Sequence, residues 1–105
     1  MYPVDVSFRN MEPSAAVEAR VREKAAELEL FFDRIQGCKI VVAAPHRRGH
    51  KGKIYRVAVR VVVPRLDIVV NRQGPKNHGH EDVYVAIRDA FAAATRQLED
   101  HARRR

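Results

Sequence analysis

The sequence predicts an α+β fold: element order β-α-β-β-β-α, a four-stranded sheet with two helices packed on one face. Three observations predict it. Segments 4–8, 38–45, 54–63 and 66–72 alternate, or run apolar, over strand length. Segments 14–32 and 83 to about 102 repeat apolar residues at helical spacing. A chain of 105 residues supports one modest core, which two packed layers fill economically. With no internal repeat and no linker, residues 1–105 read as a single domain.

Each element has a local reason. Val4, Val6 and Phe8 share one face of the first strand, and Asp5 and Ser7 share the other. NMEPS is a turn, with Pro13 suited to a first helical position and Glu12 or Ser14 suited to the cap. Val17, Val21, Leu28 and Phe32 then form one apolar stripe, while Arg20, Lys24 and Glu27 lie on another face. Gly37 ends that unit. CKIVVAAP is an apolar run of strand length. In IYRVAVRVVV, Tyr55, Val57, Val59, Val61 and Val63 share a face, and Arg56 and Arg60 lie opposite. Such alternation implies an antiparallel sheet covered on one side only. Pro64 and Arg65 turn the chain into a strand with Leu66, Ile68 and Val70 on one face. RQGPKNHGH is the longest loop. Glu81 and Asp82 place negative charge at the start of the last helix, as its dipole favours. Tyr84, Ile87, Phe91, Ala94 and Leu98 form its apolar face.

Composition narrows the function classes. Apolar residues make up 46% of the chain, enough to build a core. Net charge is +7 at pH 7, which favours polyanionic partners over neutral ones. The single cysteine, Cys38, forms no intramolecular disulfide, which fits a reducing cytosol, and it reads as a small residue at a strand start. The N-terminal stretch lacks the apolar region of a signal peptide, and no apolar run is long enough for a bilayer. The expected location is therefore cytoplasmic, with no membrane partner.

PHRRGHKGK raises a metal question, because His46 and His50 are four residues apart and His78 and His80 follow later. The first pair lies in a glycine-containing loop, where that spacing does not share a face. Arg47, Arg48, Lys51 and Lys53 would also repel a divalent ion. Solvated loop histidines are the better reading, and no metal or cofactor is expected. GHKGK lacks the spacing of a phosphate-binding loop. No serine or cysteine stands with its own base and oxyanion donors, so no catalytic residue and no enzyme is expected.

The helical cations are more informative. Arg88, Arg96 and Arg103 are spaced by 8 and 7, which puts them on roughly one side of the last helix, with small Ala92 between the first two. Arg20 and Lys24 form a one-turn pair on the first helix, with Arg22 nearby. Side by side, the two helices would join these cations into a surface able to track phosphates. The same residues also read as a solvated face of ordinary ion pairs, Glu18 with Arg22 and Asp100 with Arg96 or Arg103. Spacing alone does not choose between them. There is no tryptophan, and the open sheet face carries Arg56 and Arg60 where base stacking would need aromatics, so structured RNA fits better than single strands.

At this point the chain resembles a known family. HEDVYVAIRDAF (80–91) and RQLEDHARR (96–104) resemble the last helix of the ribosome hibernation-promoting factors, which include the ribosome-associated inhibitor A proteins. EPSAAVEARVREKAAELELFFDRI (12–35) has the first helix's spacing and its Leu-Glu-x-x-Phe-Asp-Arg ending. FRNMEPS and APHRRGHKGKIYRV are similar to short bacterial members. The resemblance implies a translation inhibitor that binds the small ribosomal subunit and its 16S-type rRNA. It would occlude the tRNA and mRNA channel in stationary phase or stress. It implies rRNA contact at Lys24 and Arg96, and more loosely at Arg20 and Arg103. Arg88 and Arg22 are added from spacing alone, and Arg47, Arg48, Lys51 and Lys53 as a cationic hairpin. The chain is similar to the short form, so ribosome pairing would need a separate dimerising factor, and the free protein is expected to be a monomer. The alternative is a general structured-RNA-binding module without ribosome preference.

Overall fold

The apolar sides of all four strands meet on one face of one sheet. The computed structural model describes residues 2–44, 55–73 and 82–103. Its elements are β1 (Val4–Arg9), α1 (Ala15–Phe31), β2 (Gly37–Ala43), β3 (Arg56–Val63), β4 (Leu66–Gln73) and α2 (Asp82–Arg103). The strands lie in the order β1-β2-β3-β4, so the element order and the four-stranded sheet are as the sequence predicts.

One pairing departs from the antiparallel expectation: β1 runs parallel to β2, Val4 opposite Cys38 and Arg9 opposite Ala43. The cause is α1, which carries the chain back so that β2 starts where β1 started. The β2–β3 and β3–β4 pairs are antiparallel. β4 therefore points the same way as β1. The helices that follow these two strands run side by side in the same direction, in contact with each other.

Helix ends are set by single residues. Ser14 caps α1, its Oγ accepting from the Val17 N–H at 3.2 Å. Pro13 stands just outside the cap, not at the first helical position. The helix stops at Phe32, whose extended backbone donates its N–H to the Leu28 carbonyl at 3.0 Å. Gly37, expected to end this unit, instead opens β2.

Val17, Val21, Ala25 and Leu28 of α1 and Val83, Ala86, Ile87, Ala90, Phe91, Ala94 and Leu98 of α2 fill one core. Beneath them lie Cys38, Ile40 and Val42 of β2, Val57 to Val63 at alternate positions of β3, and Ile68 and Val70 of β4. Burying a side chain such as Ile87 contributes about 1.5–3 kcal/mol. Tyr2, which sequence patterning did not single out, is buried and donates its hydroxyl to the Ala25 carbonyl at 2.6 Å. Burial pushes that hydroxyl well above its ordinary range, with Cys38 and Glu29 adding to the effect. Phe31, expected on or beside an apolar helix face, is 76% exposed. It is the last residue of α1, and Phe32 turns against the core in its place. Among the described residues no helix lies over the sheet's other face, which carries Arg56 and Arg60.

Candidate nucleic-acid interface

The parallel helices bring their first turns together. Arg20 of α1 reaches across, its guanidinium 5.3 Å from the centre of the Tyr84 ring in α2. An open groove there is lined by Ala16, Ala19, Arg20, Glu23, Tyr84 and Val85. The small alanines leave the helix surfaces accessible to a broad partner. Lys24 lies one turn beyond Arg20, and Arg88 one turn beyond Tyr84. Arg96 and Arg103 continue along the outer side of α2, and Ala92 between Arg88 and Arg96 is exposed. Arg20, Lys24, Arg88, Arg96 and Arg103 thus share the outer surface of the helical layer. Arg22 lies on the other flank of α1, where its Nη1 donates to the Val4 carbonyl of β1 at 3.2 Å.

Most of these cations are paired locally. Arg20 meets Glu23 at 3.2 Å, Arg22 meets Glu18 at 2.9 Å, and Lys24 meets Glu27 at 3.6 Å. Arg88 meets Asp89 at 3.2 Å and Arg103 meets Asp100 at 3.8 Å. Apart from the half-buried Lys24, these pairs are solvent-exposed and each contributes at most a few tenths of a kcal/mol, so a phosphate can exchange for the acid at little cost. Arg96 is the exception: among the described residues it has no acidic partner. The ion pairs expected of a solvated face, Glu18 with Arg22 and Asp100 with Arg103, are present.

Among the described residues no group of three or more His, Cys, Asp or Glu side chains stands ready for a metal. His46, His50, His78 and His80 lie outside the described residues, as do Arg47, Arg48, Lys51 and Lys53. Cys38 is buried, and burial pushes its thiol up to about 12, so it is protonated and unreactive at neutral pH. No helix among the described residues is long and apolar enough to cross a membrane.

Comparison with known proteins completes the site. The family described as Sigma 54 modulation protein / S30EA ribosomal protein matches residues 4–105. No curated protein matches the sequence. Among solved structures, the chain is similar to the Thermus thermophilus Protein Y N-terminal domain, at 23% identity and a TM-score of 0.72, over 96% of this chain and 99% of that one. It is also similar to a ribosomal subunit interface protein from Coxiella burnetii, at 14% identity and a TM-score of 0.75, over 95% and 97% of the two chains. Likeness at these identities establishes the shared fold, and the family match spans nearly every residue. The motifs of both helices, the order of the six elements and that match agree: this chain belongs to the Sigma 54 modulation protein / S30EA ribosomal protein family of ribosome-associated proteins.

Proposed function

We propose that the protein is a translation inhibitor that binds the small ribosomal subunit and fills the channel otherwise used by tRNA and mRNA, in resting or stressed cells. The observation that carries this reading is the family match over residues 4–105. The helical layer supports it with chemistry suited to rRNA. Arg20, Lys24, Arg88, Arg96 and Arg103 face the phosphates, and Arg47, Arg48, Lys51 and Lys53 of the β2–β3 connection add to them. Arg22 contacts rRNA only at the flank of that footprint.

The mechanism is occlusion. No bond is made or broken, and no catalytic residue or cofactor is used. Cations neutralise phosphates and release counterions, which supplies affinity, while the bulk of the domain blocks the groove. Inhibition is reversed by mass action when tRNA and mRNA compete for the same space. The protein acts in the cytoplasm as a monomer.

Sedimentation tests this directly. Tagged protein is mixed with purified small subunits, large subunits or an arbitrary RNA hairpin, with and without tRNA. Co-sedimentation with small subunits, lost as tRNA is added, is expected. Equal affinity for the hairpin would instead assign a general structured-RNA-binding module.

A further inference from the structure

We infer that the open face of the sheet is a second surface for RNA phosphates, on the side of the domain away from the helices. The inference rests on the reading of the protein as an RNA binder and adds a site to it.

The charge of the fold is unevenly divided. α1 carries Arg20, Arg22 and Lys24 against Glu18, Glu23, Glu27 and Glu29. α2 carries Arg88, Arg96 and Arg103 against Asp82, Asp89, Glu99 and Asp100. Leaving His101 aside, each helix holds one more acid than cation. The open sheet face has the reverse balance: Arg9, Lys39, Arg56 and Arg60 against Asp5 and Asp67.

Register places these cations. Lys39 stands directly opposite Arg60. Like charges in that relation destabilise a sheet. Asp67 relieves Arg60 at 3.5 Å and Asp5 of β1 stands opposite Lys39, but among the described residues no acid pairs with Arg56 or Arg9. Arg9, Ala43 and Arg56 lie in one row across three strands. At the usual strand spacing the two arginines are about 10 Å apart, with a short side chain between them. That row marks the edge where the chain leaves β2 and re-enters β3, through the segment that contains Arg47, Arg48, Lys51 and Lys53.

The floor between the cations is Val41, Ala43, Ala58 and Val62, which are half-buried and short. No aromatic side chain lies on this face among the described residues, so it offers unstacked bases nothing to stack on. The groove between the helices and the cleft where α1 and α2 end both open elsewhere. Flat and net cationic, the face suits the backbone of folded RNA.

The test compares Lys39→Gln/Arg56→Gln with Arg34→Gln/Arg65→Gln, which removes as many charges from the α1–β2 and β3–β4 connections, where both residues line a cleft with the C-terminal end of α2. Binding to small subunits and to protein-free small-subunit rRNA is measured against salt. The first pair should flatten the log–log salt slope by about two on both targets and weaken binding at moderate salt roughly tenfold or more. The second pair should change the slope by less than about one. Both should melt with the wild type, because all four side chains belong to exposed residues. Equal effects of the two pairs, or no effect of the first, would overturn the inference. A loss on intact subunits but not on bare rRNA would overturn it in favour of a ribosomal protein as the occupant. A flattened slope on bare rRNA without any preference for small subunits would keep the phosphate surface and sink the ribosome proposal alone.

Discussion

Arg96 is the helical cation whose charge no described neighbour answers, and it is where phosphate contact requires the least rearrangement. Lys24 differs. The sequence suggests an exposed residue, but its side chain is only 28% exposed and its amine sits 3.6 Å from Glu27. Lys24→Glu with Arg96→Glu should nearly abolish co-sedimentation with small subunits while thermal melting shows a loss of less than about 1 kcal/mol, most of it from the new Glu beside Glu27. Retained binding would mean the helices face away from the RNA. Cys38 supplies a residue-scale test of the core. Its ordinary value is 9.0 and burial raises it to about 12, so the folded state holds the thiol proton more tightly. The stabilisation is fully present below about pH 9 and is lost as pH rises from there toward 12. Urea midpoints should fall across that window, and less steeply in Cys38→Ala; identical alkaline limbs would refute the linkage. At this scale the sequence was only partly legible. Lys39 is hidden within the apolar run CKIVVAAP, and the Arg20–Tyr84 contact joins two helices whose relative placement no spacing rule supplies.

At the scale of elements, periodicity read well and boundaries read less well. The strands and helices appear where alternation and the 3.6-residue repeat put them, because those repeats are what one-sided burial demands. Helix ends depend on capping hydrogen bonds, and there Ser14 prevailed over Pro13 and Glu12. The two phenylalanines show the consequence. Phe91, 4% exposed in the middle of α2, should cost about 3–5 kcal/mol when changed to Ala, read as a lowered melting temperature. Phe31→Ala, at the exposed end of α1, should shift stability by no more than about 0.5 kcal/mol. A large loss at Phe31 would show that the end of α1 packs more tightly than its exposure indicates. The parallel β1–β2 pair was missed for a related reason: alternation reports which face is buried, not the direction of the neighbouring strand.

For the molecule as a whole, the proposed function makes binding depend on electrostatics. If about six phosphates are neutralised, affinity for small subunits should fall by a few orders of magnitude from low to moderately high salt, measured as fraction sedimented. A salt-independent affinity would rule out phosphate contact as the main source of binding. The +7 net charge favoured a polyanionic partner before any coordinate, and the two helix motifs made the family legible. Composition and periodicity carry that much because charge is additive along a chain and burial follows the repeat of each element. Where the charge acts is a different matter. Whether Arg22 joins Arg20, whether Lys39 meets Arg60, and which side of the domain is the more cationic depend on strand register and on which face each helix lays down. Those are relations between segments distant in sequence, created only when the layers pack, so they belong to the folded molecule and not to any stretch of the chain.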